Sequence, residues 1–425
     1  MSGTTLIAGG CVLTLDAKIG NFSVADVLIE AGKVVEVGTG LRARGAEVVD
    51  ASEAIVMPGF VDSHRHAWQS LFRNSGDDSL VADYGAYYTP EDVYAASLGG
   101  LLAAVDAGIT TVVDWFDLDP GPEFTEAALS AHAEAGSRSV FAVGGGDGDW
   151  RHDLSRLHQG WGDRPLTSLA AGVSGLPDFD VFEADWQFAR DLGLRVHSHV
   201  RGAGSVADLG RHRLLSGAVT LVGCTDLGED DFDAVKSTGA AVALTPAAGM
   251  AGGAGAPPVQ QLIDRGIRPG LGVGSDSGSP GDIFAQMRAV ISIQHATVFD
   301  RKLAGKAGLP TLLNTREVIR YATSDGARAA GLPPGLGTLA PGSPADVIVL
   351  RTDRPNIHPI NDPIGAVVWG MDTSNVDWVF VDGRPLKQAG ILEADVPAVR
   401  RDVEAAAARV AAAAGTLAGT GGATG

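Results

Sequence analysis

Two rhythms of hydrophobic and polar positions divide this chain. Up to about residue 55, apolar and polar side chains alternate over short stretches punctuated by glycine. That period-two pattern reads as β-structure, because alternate residues of a strand face opposite sides. Residues 4–15 predict a strand pair around Gly9-Gly10, residues 27–37 a hairpin turning at Ala31-Gly32-Lys33, and residues 46–50 another short strand. From Ile55 onward, continuous apolar runs take over at 55–61, 110–114, 139–143, 169–173, 195–199, 219–222, 241–244 and 268–274. Helix-like stretches such as 90–107, 124–135, 181–192 and 260–265 lie between them.

Continuous apolar strands interleaved with helices imply a parallel sheet covered on both faces. Eight such units predict an α/β fold, a (β/α)8 TIM barrel. An open doubly wound sheet is the second choice, disfavoured because no glycine-rich phosphate loop follows the first strand. After Pro333-Pro334 the chain returns to short strands at 345–350, 366–369 and 376–381, with Asp382-Gly383 marking a hairpin. These match the N-terminal rhythm, so the two chain ends are expected to build one small β-sandwich domain. The expected division is residues 1–57 and 336–395 for the sandwich and 58–335 for the barrel. Residues 396–425 then form a C-terminal extension, an Ala-rich helix over 398–413 and a flexible tail from Gly415.

Composition narrows the function. Lys and Arg total 32 against 51 Asp and Glu, a net charge of −19 that argues against nucleic-acid binding and against docking on an anionic membrane. The two cysteines, Cys11 and Cys224, build neither a disulfide framework nor a Cys-rich zinc site. No stretch approaches the roughly 20 apolar residues of a membrane span, and the first residues lack the basic and apolar segments of a signal peptide. A cytoplasmic protein with a small-molecule substrate is the expectation.

The chemistry concentrates in the histidines. Pro58-Gly59-Phe60-Val61-Asp62-Ser63-His64-Arg65-His66 ends the first barrel strand, and His197 and His199 end the fifth. Residues i and i+2 of a strand point the same way, so each pair can share one ligand. Asp276 ends the eighth strand in Gly274-Ser275-Asp276-Ser277. All lie at the C-terminal ends of barrel strands, where this architecture carries its active sites. Three neutral imidazoles and one carboxylate suit a single divalent first-row ion, with zinc the first choice and iron(II) the second. Such an ion lowers the pKa of water toward roughly 7, and an adjacent aspartate can take the released proton.

With Gly108-Ile109-Thr110-Thr111-Val112-Val113-Asp114-Trp115, Gly272-Val273-Gly274-Ser275-Asp276 and Leu339-Ala340-Pro341-Gly342-Ser343-Pro344-Ala345-Asp346 added, the chain resembles the amidohydrolase superfamily over nearly its whole length. The resemblance is to the branch of mononuclear deaminases and chlorohydrolases, the triazine-hydrolase and guanine-deaminase-like group. It implies a metal site of His64, His66, His199 and Asp276, with Asp276 and His199 also catalytic and His197 one pleat earlier in the pocket. It also points Arg65, Trp68 and Gln69 toward substrate, and implies a homodimer or higher homo-oligomer. The implied reaction is hydrolytic removal of an amino, amine or halide group from a small nitrogen-containing, heterocyclic substrate.

The sequence departs from that pattern at several positions. Gly202 stands where the family carries a proton-shuttling Glu after the strand-five histidine, and Gly223 where it carries a strand-six His. Asp117 replaces a strand-two histidine common among relatives. A positioned acid/base contributes roughly 10²–10⁴-fold to rate, so the losses call for replacements. Asp117 is the catalytic candidate, Cys224 a pocket candidate, and Asp226, His152 and His158 further replacements. Two alternatives follow, a non-hydrolytic lyase or isomerase on the same fold and a catalytically degenerate metal or ligand binder.

Overall fold

The computed structural model describes residues 3–75, 84–118, 121–144, 149–174 and 179–420. The first five strands are Thr5–Leu13 (β1), Asn21–Glu30 (β2), Lys33–Gly38 (β3), Glu47–Asp50 (β4) and Ala54–Pro58 (β5). The next eight are Phe60–Arg65 (β6), Ile109–Phe116 (β7), Arg138–Val143 (β8), Thr167–Gly172 (β9), Val196–Arg201 (β10), Val219–Thr225 (β11), Ala241–Leu244 (β12) and Gly270–Leu271 (β13). Four close the set, Val347–Arg351 (β14), Val376–Val381 (β15), Arg384–Gln388 (β16) and Ile391–Leu392 (β17).

Strands β6 to β13 pair in parallel in chain order, each separated from the next by helical chain, which is the eight-stranded barrel and not the open sheet. The two chain ends share a second, mixed sheet ordered β17-β16-β15-β14-β5-β1-β2-β3, with β4 beside β1. Its own core includes Ile7, Val27, Ile29, Val56, Val347 and Phe380. No helix among the described residues is long and apolar enough to cross a membrane.

Several expectations need correction. The apolar run 55–61 is two strands. β5 pairs antiparallel with β14 in the small sheet, while β6 pairs with β7 in the barrel, and Gly59 between them donates its amide to the Asp346 carbonyl. The strand pair expected at 4–15 is one strand, kinked by register shifts on either side of Gly10. Residues 366–369 belong to a π-helical turn, Ala366–Gly370, continuing the helical turn Pro363–Gly365. There Pro363 supplies the fixed φ of a first helical turn, which outweighs the β-propensity of Val367 and Val368. The C-terminal helix runs Val396–Thr420, past the start of the expected tail, whose last residues 421–425 lie outside the described ones.

The barrel closes where β6 meets the eighth strand segment. Gly274 donates its amide to the His64 carbonyl and accepts from the His66 amide, at 2.8 and 3.0 Å. Gly272 lies so close that a Cβ there would fall 2.6 Å from the His64 carbonyl oxygen. Only glycine permits that approach. Regular pairing in β13 covers Gly270–Leu271 where 268–274 was expected.

A buried polar hub anchors the loop after β6. Asp114 on β7 accepts from the Ala67 amide at 2.8 Å and lies 2.8 Å from His132 Nε2, on the helix Pro122–Ala135. Both side chains are fully buried. Removing one partner of a buried polar pair leaves the other unsatisfied, so His132→Ala should cost roughly 3 kcal/mol of stability. Chemical denaturation checks this. The double variant with Asp114→Ala should lose less than the sum of the single losses, since the two groups act as one unit.

Candidate active site

The strand ends bring three histidines together at the barrel mouth. His64 Nε2 lies 3.2 Å from His66 Nε2, and one ring nitrogen from each of His64, His66 and His199 falls within 4.8 Å of the others. The rings meet edge-on between His64 and His66 and between His64 and His199. Trp115 packs against all three, its centroid 4.7 Å from that of His199. Sequence reasoning passed over Trp115 as part of a strand motif. Its signal was position, directly after Asp114 at the C-terminal end of β7.

Electrostatics keeps two of these rings neutral. His64 is wholly buried, and burial, together with the neighbouring His199, His66 and His197, pushes its pKa well below that of a free imidazole. His199 opens on the cavity, but enclosure within the mouth and the charge of His66 push it down to about 4. At His66 burial also opposes the charged form, and the Asp117 carboxylate outweighs it, so its pKa rises. Asp117 Oδ1 lies 3.3 Å from His66 Nδ1 and accepts a hydrogen bond from Trp68 Nε1 at 2.8 Å. A carboxylate on Nδ1 fixes the tautomer whose Nε2 lone pair faces the other histidines.

This donor set fits a divalent metal ion. Two nitrogens on one zinc at bond lengths of ~2.0–2.1 Å and tetrahedral angles stand about 3.3 Å apart, which the His64 and His66 nitrogens match. Metal ligation requires neutral imidazole, the state that burial imposes on His64.

Asp276 does not join this group. Its Oδ2 accepts from Arg73 Nε at 2.8 Å and lies 2.7 Å from Arg73 Nη2, with Arg65 Nη1 at 3.8 Å. The expected fourth ligand is held in an ion pair, with Arg73 offering two donors to one buried carboxylate oxygen. Sequence reasoning did not single out Arg73. Arg65 is also displaced from its expected role. It is buried, donates to Asp62 Oδ2 at 2.7 Å and to the Gly281 carbonyl at 2.7 Å, and ties the two loops together without lining the cavity.

The cavity over the histidines has a volume of about 1470 Å³. His64, His66 and His199 lie on its wall with Trp68, Gln69 and Asp117, three further residues expected near the substrate. His152, from the helix Trp150–Gln159, also lines it, whereas His158 on the same helix does not. His197 sits fully buried one pleat below His199 with neither ring nitrogen hydrogen-bonded, and burial followed by the Arg195 charge pushes it down to about 3. Cys224 is also off the wall. Its side chain is buried, Sγ lies 3.8 Å from the Leu221 carbonyl, and burial pushes the thiol up, while its neighbours Gly223 and Thr225 face the cavity. Asp226 is exposed and pairs with Arg201 at 3.4 Å.

Over residues 55–144 and 187–386 the sequence matches the amidohydrolase family, and the chain belongs to that family. It is a hydrolase acting on carbon–nitrogen bonds other than peptide bonds. It is 28% identical over 410 residues to a 5'-deoxyadenosine deaminase of Methanosarcina mazei, a match covering 90% of this chain and 92% of that protein. To a 5-methylthioadenosine/S-adenosylhomocysteine deaminase of Nitratidesulfovibrio vulgaris it is 29% identical over 423 residues, covering 91% and 92%. The zinc complex of atrazine chlorohydrolase TrzN from Arthrobacter aurescens has a TM-score of 0.82 at 23% identity, covering 95% of this chain and 100% of that one. A zinc-bound adenosine deaminase from Xanthomonas campestris has a TM-score of 0.83 at 21% identity, covering 96% and 98%. At such identities these two structures share the fold.

The geometry ranks the metal-binding residues. His64→Ala should abolish stoichiometric binding of added zinc, measured by elemental analysis after dialysis. Asp276→Asn should weaken binding less, because its carboxylate is already committed to Arg73. Equal losses in the two variants would return Asp276 to the ligand set.

Proposed function

We propose that this chain hydrolyses an sp2 carbon of a small nitrogen heterocycle, releasing ammonia, an amine or a halide. We assign it one divalent ion, zinc in preference to iron, held by His64, His66 and His199. The same reading makes it a cytoplasmic enzyme that associates as a homodimer or higher homo-oligomer. The observation that carries the proposal is the convergence of three imidazole nitrogens at the floor of an open cavity. A divalent ion bound there supplies Lewis acidity and brings the pKa of water toward neutrality.

The protein's own side chains then handle orientation and protons. Asp117 holds the His66 ring in register and is braced by Trp68. It lines the cavity with its side chain 31% exposed, so it can exchange a proton with a bound substrate. Gly202 and Gly223 place no side chain at the family's two proton-handling positions. Asp117 is therefore the carboxylate we assign to proton transfer, and His152, across the same cavity, is placed to contact the substrate. A volume of about 1470 Å³ exceeds the ~300–1,000 Å³ of most ligand pockets. It can accept a ring bearing a sugar or other substituent, as in the substrates that name the deaminase relatives.

The test is turnover by zinc-loaded protein of 5'-deoxyadenosine, 5-methylthioadenosine, S-adenosylhomocysteine and atrazine in ¹⁸O-labelled water. Ammonia or chloride release with one label per product is expected. Product without label would transfer the site to lyase or isomerase chemistry, and no turnover across the panel would overturn the substrate assignment. Asp117→Asn should lower kcat by about 10²–10⁴-fold, with metal affinity falling no more than about 10–100-fold. Full activity in that variant excludes Asp117 as the proton carrier.

A further inference from the structure

The helix Ile283–Leu303 buries one face, with Ile283, Phe284, Met287, Val290, Ile291 and Val298 against the barrel. Its opposite face carries Ser292, Ala296, Phe299 and Leu303, all exposed and spaced four, three and four residues apart. Such spacing makes one continuous stripe along a helix. Phe299 is 49% and Leu303 86% exposed. The neighbouring segment adds Leu309 and Leu312, and it is docked beside the stripe because Gln294 Nε2 donates to the Thr311 carbonyl and His295 Nε2 lies 2.9 Å from the Leu313 carbonyl. Seven residues before His295 and on the same flank of the helix, Arg288 donates to the Val368 and Met371 carbonyls, which sets Trp369, 50% exposed, one turn before Ser292. Five of the eleven large exposed hydrophobic residues among those described thus border one helix. Scattered apolar residues are ordinary on a surface, and a contiguous patch marks an interaction site.

We propose that this face is the interface of a homodimer, built by two copies of the helix Ile283–Leu303 packed antiparallel about a two-fold axis. The occupant is read from the order of side chains along the stripe. Small residues, Ser292 and Ala296, occupy one half, and large ones, Phe299 and Leu303, the other. Turning a second copy end to end places Ala296 opposite Phe299 and Ser292 opposite Leu303, so each large side chain meets a small one. A two-fold interface requires that kind of self-complementarity. It also brings Leu309 and Leu312 of one copy toward Trp369 of the other.

Charge agrees with the same occupant. Lys302 and Lys306 stand exposed at the large end, and Asp372, exposed, follows the Trp369 turn at the small end. The antiparallel arrangement therefore opposes unlike charges within a chain whose net charge of −19 otherwise repels a second copy. A helix of 21 residues is about 30 Å long and 10–12 Å wide. The 304–313 segment and the Trp369 turn widen that face along one flank.

This inference rests on the homo-oligomer part of the proposed function and is independent of its chemistry. Sedimentation equilibrium at micromolar concentration should give twice the 43.5 kDa chain mass. Phe299→Asp combined with Leu303→Glu should give the monomer, with the circular dichroism spectrum of the folded chain unchanged. Ile391→Glu, at an exposed position in the small sheet, should leave the dimer intact. In a second, milder design, Ala296→Cys with Phe299→Cys should form an interchain disulfide on oxidation where the wild-type protein does not. A monomeric wild-type protein overturns both the oligomer reading and the interface. An oligomer that survives the charged variant, or cysteines that fail to cross-link, overturns the interface alone.

Discussion

The seam between the first and eighth barrel strands is the constraint on which the rest of this molecule depends. Gly274 exchanges backbone hydrogen bonds with His64 and His66, and Gly272 lies against the His64 backbone closer than any side chain allows. The residues that close the barrel are thus the residues that carry two of the three converging imidazoles. A fault in closure would displace the site directly, with no loop to absorb the change. The buried Asp62 reinforces the same seam by accepting from the His64 and Val273 amides and from Arg65. Burying that carboxylate is costly unless it is paired and fully hydrogen-bonded, and here all three donors belong to the two segments it joins.

The same accounting explains why Arg65 and Asp276 are found away from the cavity. Arg65 is buried beside Asp62, reaches the Gly281 carbonyl and stands near Asp276. Asp276 is in turn held by Arg73, which extends from the loop after β6. Four alternating charges thus link the ends of the first and eighth strands. Each satisfies the burial of its neighbour, and together they hold the loops that frame the histidines.

The architecture was legible wherever it depends on period and order. Continuous apolar strands alternating with helices specified the parallel barrel, and the His-x-His at the end of β6 marked its mouth. What was hidden depended on contacts between distant segments. The strand break at Gly59 is set by which sheet each side joins, and both halves are equally apolar. The helical turn at Pro363–Gly370 is rich in valine, so composition spoke for a strand while Pro363 decided for a helix. His132 carried no local motif, and its value comes from a fully buried Asp114 on another element. Spacing could place Asp276 at a strand end, but the competing cation, Arg73, lies 203 residues away.

Gly202 and Gly223 acquire a different meaning in the folded chain. A Cβ at Gly202 would meet nothing within 4 Å, and one at Gly223 only the Val200 carbonyl at 3.9 Å, so crowding does not keep side chains out. The backbone does. Both residues have left-handed φ values, +87° and +82°, which cost other residues of order 1–3 kcal/mol. Between them the pairing of β10 with β11 slips, Val200 facing Gly223 but Arg201 facing Thr225. The end of β11 is a tight left-handed turn in which Cys224 and Asp226 also have positive φ, and Gly202 and Gly223 take such backbone without the cost of a side chain. A glutamate at 202 or a histidine at 223 would strain the turn. The proposed reading therefore gives proton transfer to a group on another strand, Asp117, which follows β7, accepts from Trp68 Nε1 and lies 3.3 Å from His66 Nδ1.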